Sequence, residues 1–173
     1  FPYTQGFENG GTIPACWTQS IVAGSTNWTF QAGGYSGNPS GAHTGSYNAY
    51  LYYSGDGHVN KLISPTFDFT GVTNPKLSFW HAQAVWAGDQ DYLNVYYRIS
   101  PADPWVPLMS FTNSITVWQL DSIALPNTSA AYSLAFEGTT GFGYGVVLDD
   151  ITIDGISGPV DTCDNPTNLA IPS

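Results

Sequence analysis

One carboxylate stands where a strand should least place it. In "GVVLDDITIDG" (145–155), Val147, Asp149, Ile151 and Ile153 fall on alternate positions, the period of a strand with one buried face. An unpaired buried charge costs roughly several kcal/mol, so Asp149 needs a partner. A hard cation is one such partner, because calcium collects about six to eight oxygens from carboxylates, amides and backbone carbonyls. If the first and last strands are neighbours, Glu8 of "GFENG" meets Asp149. Asn48, opening "YNAYL", and carbonyls of the Gly-rich 9–12 turn would then complete the shell. The alternative is that Asp149 caps a turn or accepts backbone N–H groups. Asp150 faces solvent in an ideal strand, unless a bulge exchanges the two acids.

Other acids and the histidines carry less. Asp89 and Asp91 of "AGDQD" are spaced for a second ion, but they also read as solvated turn residues. His43, His58 and His81 are scattered, without the spacing of a zinc site.

The aromatics are the second chemical signal. "KLSFWHAQA" (76–84) alternates, with Leu77, Phe79 and His81 on one side and Trp80 on the other. "DYLNVYYRIS" (91–100) places Leu93, Val95, Tyr97 and Ile99 inward and Tyr92, Asn94, Tyr96 and Arg98 outward. If the two strands pair, Trp80, Tyr92 and Tyr96 offer flat faces to sugar rings, with Asn94 and Arg98 fixing orientation. Trp80 is expected to be half covered by residues 84–90. A rival surface is the cluster of loop aromatics Trp86, Phe142 and Tyr144.

Catalysis finds little support. No Gly-x-Ser-x-Gly elbow is present, and the acids of "FDF", "QLD" and "LDD" are isolated rather than paired. A polysaccharide lyase would use His81, Tyr96 and Arg98 as base, acid and charge neutraliser. His81, however, shares its side of the strand with Leu77 and Phe79, which is where a satisfied core histidine belongs.

The elements that must position these residues are strands. Only 9% of the 173 residues are charged and 15% are aromatic, while Gly and Pro number 19 and 12. Such a composition, without Ala/Leu/Glu/Lys-rich helical stretches, specifies an all-β, loop-rich domain. Nine or ten antiparallel strands and no intervening helix predict a two-sheet antiparallel β-sandwich, a jelly roll. The domain spans residues 1–156. Residues 157–173, "SGPVDTCDNPTNLAIPS", rich in Pro, Gly, Asp and Asn, read as a linker, and the C-x-x-P-x-x-L spacing of "CDNPTNL" resembles the start of a following fibronectin type III-like module. Phe1 in place of Met reads as the start of a processed or excised piece.

The net charge of -10, from 13 acids against 3 bases, argues against nucleic acid and anionic membranes as partners. It also disfavours strongly anionic polysaccharides. No apolar run reaches the roughly 20 residues that span a bilayer. Cys16 and Cys163 are either one disulfide joining the two ends, as a secreted setting would allow, or two unpaired thiols.

Several segments line up in order: "GFENGGTIPACWTQ", "NWTF", "HTGSYNAYLYY", "LISPTFDFTGVTNPKLSFWHA", "DYLNVYYRIS", "VWQLDSIALP", "LAFEG" and "GVVLDDITI". This set resembles the MAM-like jelly rolls of secreted bacterial adhesins and proteases, especially the cleaved-adhesin (haemagglutinin) domains of gingipain-type proteins. The resemblance covers nearly all of residues 5–155. It implies a non-catalytic, often calcium-bound sandwich of a larger secreted or cell-surface protein, with adhesive or glycan-binding roles. It supports Glu8 and Asp149 as metal ligands, because they fall at the family's Phe-Glu and Leu-Asp-Asp-Ile positions. The expected partner is a neutral or weakly charged glycan or a cell-surface or host protein. The alternatives are a structural spacer working through protein contacts and a small lyase or hydrolase.

Overall fold

A computed structural model describes residues 1–156. The expected linker, the fibronectin-like segment and Cys163 lie outside the described residues. Eleven strands are present: β1 (Tyr3–Gln5), β2 (Thr18–Ala23), β3 (Thr29–Gln31), β4 (Asn48–Leu51), β5 (Asp56–Ile63), β6 (Thr73–Gln83), β7 (Tyr92–Arg98), β8 (Val106–Phe111), β9 (Ile115–Ala124), β10 (Ser133–Gly141) and β11 (Val146–Ile156). One short 3-10 turn, Tyr35–Gly37, is the sole helical element among the described residues. The strand that periodicity misses is β1, too short to show a period. "KLISPTFDF" (61–69) alternates as a strand would, but β5 ends at Ile63, because Pro65 has no N–H for a ladder.

The strands form two antiparallel sheets. One has the order β3-β4-β11-β6-β9, with β1 also pairing β11; the other has the order β2-β5-β10-β7-β8. Between them lies the core, in which Leu77, Phe79, Leu93, Val95, Leu134, Phe136 and Ile153 are all buried. These are inward positions of the alternating strands, whereas Ile99, expected inward as well, lies past the end of β7 and is 41% exposed. His81 belongs to this inner face too. It is fully buried, with Nε2 2.9 Å from Asp121 Oδ2 and Nδ1 3.1 Å from Gln83 Oε1.

Strand β11 departs from its apparent period. Asp149 pairs with Trp80 and Thr152 with Ser78, so three steps on β11 oppose two on β6. Asp150 takes up the extra residue with a φ of 43°, in the left-handed region that Asp tolerates better than most residues. Leu148, opposite His81, and Ile153, opposite Leu77, therefore both face the core although they are five residues apart. Asp149 shares its face with Val147 but not with Ile151 and Ile153. The carboxylate points to the outer side of the six-stranded sheet, and the apparent acid in the core is a product of reading through a bulge.

Topology explains where the bulge sits. On one edge of β11, β4 pairs with Val146–Leu148 and β1 with Ile151–Ile153. The gap between those two partners falls at Asp149–Asp150. The segment after β1, carrying Glu8, and the loop before β4 both enter there.

Candidate functional site

The first place where polar groups converge is this gap. His43 N and Thr44 N donate to Asp149 Oδ2 at 2.9 and 3.3 Å, and Asp150 N donates to Asp149 Oδ1 at 2.8 Å. Ser46 N and Tyr47 N donate to Glu8 Oε1 at 2.9 and 2.8 Å. Asp150 accepts from Thr44 Oγ1 at 2.7 Å and lies 2.6 Å from His43 Nδ1. One loop, 43–47, thus offers its N–H groups to two carboxylates from opposite ends of the chain. Asp149 is compensated first by main-chain donors, which is the alternative the sequence left open. Asp150 is a partner of the loop, and not a residue left to solvent.

The set is nevertheless rich in negative charge. Burial, then the charge of Asp150, push the Asp149 carboxyl up to about 6 against the pull of its three N–H donors. Oxygen-only donors and surplus negative charge fit a calcium-class ion in type and sign. Among the described residues no group of three or more His, Cys, Asp or Glu side chains converges as a metal cage, so carbonyl oxygens would have to complete any shell. Asn48 serves elsewhere. Its Oδ1 accepts from Gly33 N at 2.5 Å, and its Nδ2 donates to Gly33 O and Ala49 O, anchoring the start of the loop.

The same loop covers Trp80. The His43 ring stacks on it at 3.7 Å with 16° between planes, and Trp118 Nε1 donates to Gly41 O at 3.0 Å. Strands β6 and β7 belong to different sheets, so the expectation that they pair is corrected: Trp80 lies across the sandwich from Tyr92 and Tyr96. Its ring is covered by His43. His81 is likewise separated from Tyr96 and Arg98, because it faces the core while they face outward from the other sheet. The geometry of a lyase built on those three residues is absent.

Tyr92, Asn94, Tyr96 and Arg98 do share one surface, the outer face of the five-stranded sheet. The register places Lys61, Glu137, Asn94 and Ser110 side by side across four strands. Lys61 Nζ pairs with Glu137 Oε2, and Tyr96 Oη donates to Glu137 Oε1 at 3.1 Å. Asn94 Nδ2 is 3.5 Å from the same oxygen, and Ser110 Oγ donates to Asn94 Oδ1 at 2.6 Å. Lys61 Nζ sits 5.0 Å from the centre of the Tyr96 ring. Burial, reinforced by the Glu137 charge, pushes the Tyr96 phenol above its ordinary value. Tyr92, 39% exposed, flanks this row with its ring open to solvent. The result is a fixed polar row bordered by aromatic rings, a surface suited to hydroxyl-rich rings.

Sequence reasoning missed Lys61 and Glu137. In "LAFEG", Leu134 and Phe136 point inward and Glu137 outward, so the alternation used for β7 was available there too.

The loop aromatics form a separate patch. Trp86 and Phe142 lie 5.2 Å apart and are 42% and 40% exposed. Tyr144 packs near Tyr35 at 6.3 Å. Asp91 holds this end together, accepting from Gly141 N, Gly143 N and Gly145 N at 2.7, 3.3 and 2.6 Å. It is buried, and burial raises its carboxyl pKa despite those donors. It is therefore neither a solvated turn residue nor free to chelate with Asp89. Asp91→Ala should orphan three main-chain donors and cost on the order of 2–4 kcal/mol in urea unfolding. Near-UV circular dichroism should show the Trp86–Phe142 environment altered at the same time.

Comparisons with known proteins agree with this architecture. The profile of the MAM domain (meprin/A5/mu) matches residues 6–161. Among curated protein sequences, none matches significantly. The K1 cleaved adhesin domain of Lys-gingipain from Porphyromonas gingivalis W83 is similar in structure, with a TM-score of 0.69 at 21% identity over 91% of this chain and 99% of that one. The carbohydrate-binding module TmCBM61, solved with β-1,4-galactotriose, has a TM-score of 0.60 at 15% identity, covering 87% of this chain and 94% of that one. The CBM22-1 xylan-binding domain of Paenibacillus barcinonensis Xyn10C has a TM-score of 0.56 at 14% identity, covering 91% and 95%. At these identities the likeness is one of fold.

Proposed function

The chain belongs to the MAM domain family, and from that premise we propose that it is a non-catalytic module that binds neutral or weakly charged glycans. The observation that carries this reading is the outer face of the five-stranded sheet, where the Lys61–Glu137–Asn94–Ser110 row is bordered by Tyr92 and Tyr96. Its polar groups are already held by one another, so a sugar would meet donors and acceptors that need little further ordering. The fold is shared with modules described as binding galactotriose and xylan, and with an adhesin domain. No helix among the described residues is long and apolar enough to cross a membrane.

The test is a panel of neutral β-linked oligosaccharides, read by calorimetry and by array, with the intact protein. Binding to at least one member, abolished by substitution on this face, is the expected result. A panel without a hit would favour the spacer reading, in which the exposed Trp86 and Phe142 make protein contacts.

Calcium is the cofactor of this reading, held by Glu8 and Asp149 together with main-chain carbonyls. Its contribution would be to offset the clustered carboxylate charge and pin loop 43–47 to β11. Millimolar calcium should raise the thermal midpoint by several degrees, roughly, and excess chelator should reverse it, because an ion bound only by the folded state stabilises that state. An unchanged midpoint under both conditions would remove the metal from the account.

A further inference from the structure

Arg98 is an unusual residue in this chain. It is one of only 3 cationic side chains in a protein of net charge -10. Lys61, on the same face, is committed to Glu137. Among the described residues Arg98 has no carboxylate partner. Its Nη1 donates to Pro101 O at 3.1 Å, and its guanidinium carbon lies 4.5 Å from the centre of the Trp105 ring. Its Nε is buried without a hydrogen-bond partner. A buried N–H left unpaired costs stability, and it leaves the cation without full compensation from the protein.

Arg98 also lines a cavity of about 270 Å³, whose walls include Cys16, Thr18, Ser64, Thr66 and Ser133. Ser64 Oγ is engaged with Pro65 O and Leu134 N, while Ser133 Oγ and Thr66 Oγ1 lie 3.4 Å apart. The place in the sheet matters as much as the lining. Tyr96 opposes Ala135, which opposes Ile63 and then Thr18, while Arg98 opposes Ser133. The cavity therefore begins beside the row that contains Tyr96 and continues the proposed glycan face.

From this placement we infer that the cavity is a subsite for one carboxylate-bearing sugar, a uronic acid, within or at the end of an otherwise neutral glycan. The inference rests on the glycan reading of the adjoining face. A guanidinium is the side chain best shaped for a carboxylate, and the hydroxyl walls suit the ring hydroxyls that such a sugar carries. The limit of one acidic unit follows from the overall field. A polyanion would be repelled by net charge -10, whereas a single carboxylate at an unpaired guanidinium gains a local partner.

The experiment titrates the intact ¹⁵N-labelled protein with D-glucuronate, D-galacturonate, their neutral parents and sodium acetate, beside the neutral oligosaccharide panel. The expected result is a shift of the Arg98 Nε–H and Ser133 amide resonances with a uronate, at least tenfold weaker affinity for glucose, galactose and acetate, and loss of the uronate preference in Arg98→Gln. The wild-type Arg98 Nε–H signal keeps the test decisive even if that variant folds poorly. Uronate binding without any hit from the neutral panel would sustain the pocket and overturn the wider glycan reading. Neutral glycans binding with no uronate preference would overturn the pocket and leave the face intact. Acetate binding as tightly as uronate would overturn the sugar assignment.

Discussion

Asp149→Ala should lower the unfolding free energy by about 3–5 kcal/mol, well above the ordinary effect of a point substitution. The carboxylate is fully buried and accepts from His43 N, Thr44 N and Asp150 N. Each buried donor left without an acceptor costs about 1–3 kcal/mol, and water entering the new space would recover part of the sum. Asp149→Asn, which keeps one acceptor oxygen, should lose less. Urea unfolding in calcium-free buffer measures both. A loss below about 1 kcal/mol for the alanine variant would mean that loop 43–47 does not depend on this residue.

The same group sets a pH dependence with a definite sign. Its folded-state pKa of about 6 lies above the ordinary 3.8, so between those values the folded protein holds more protons than the unfolded chain. Stability contributed by this group therefore falls as pH rises from about 4 to about 6. Asp91 is shifted in the same direction by burial. A bound divalent cation would keep Asp149 charged, so saturating calcium should flatten the slope in the wild type. Asp149→Ala should keep only the shallower slope left by Asp91 and should lack the calcium response.

Loss of glycan binding on Tyr92→Ala and Tyr96→Ala is the second large effect expected. A ring central to a binding face is commonly worth about 2 kcal/mol, roughly 30-fold in Kd. Tyr92 is the cleaner variant, because its ring is 39% exposed, whereas Tyr96 also donates to Glu137. Trp80→Ala provides the contrast. It lies on the other sheet beneath His43, so it should weaken the loop and lower the midpoint without changing glycan affinity. Equal losses for Trp80 and Tyr92 would show that the binding surface has been placed on the wrong side of the sandwich.

Much of this molecule was legible along the chain, for one reason. Side chains alternate across a strand by geometry, so in β6 and β7 the inward residues Leu77, Phe79, His81, Leu93 and Val95 could be separated from the outward Tyr92, Asn94 and Tyr96 before any pairing was known. The same period identified His81 as a core residue, and composition identified the all-β class. The expectation that the first and last strands are neighbours also holds, since β1 pairs with β11.

What local pattern could not carry is whatever depends on a phase shift or on distant pairing. A bulge at Asp149–Asp150 breaks the period it sits in, so the acid on the apparent core face belongs on the outer one. Which strands share a sheet is a matter of long-range hydrogen bonding, and this put Trp80 and Tyr96 on opposite sides. Glu137 gains its meaning from Lys61, 76 residues away in sequence, and from Tyr96 on the neighbouring strand. Alternation is written into each strand because it needs only neighbouring peptides. Partners are chosen by the folded sheet, because hydrogen bonds and buried charges are satisfied across space.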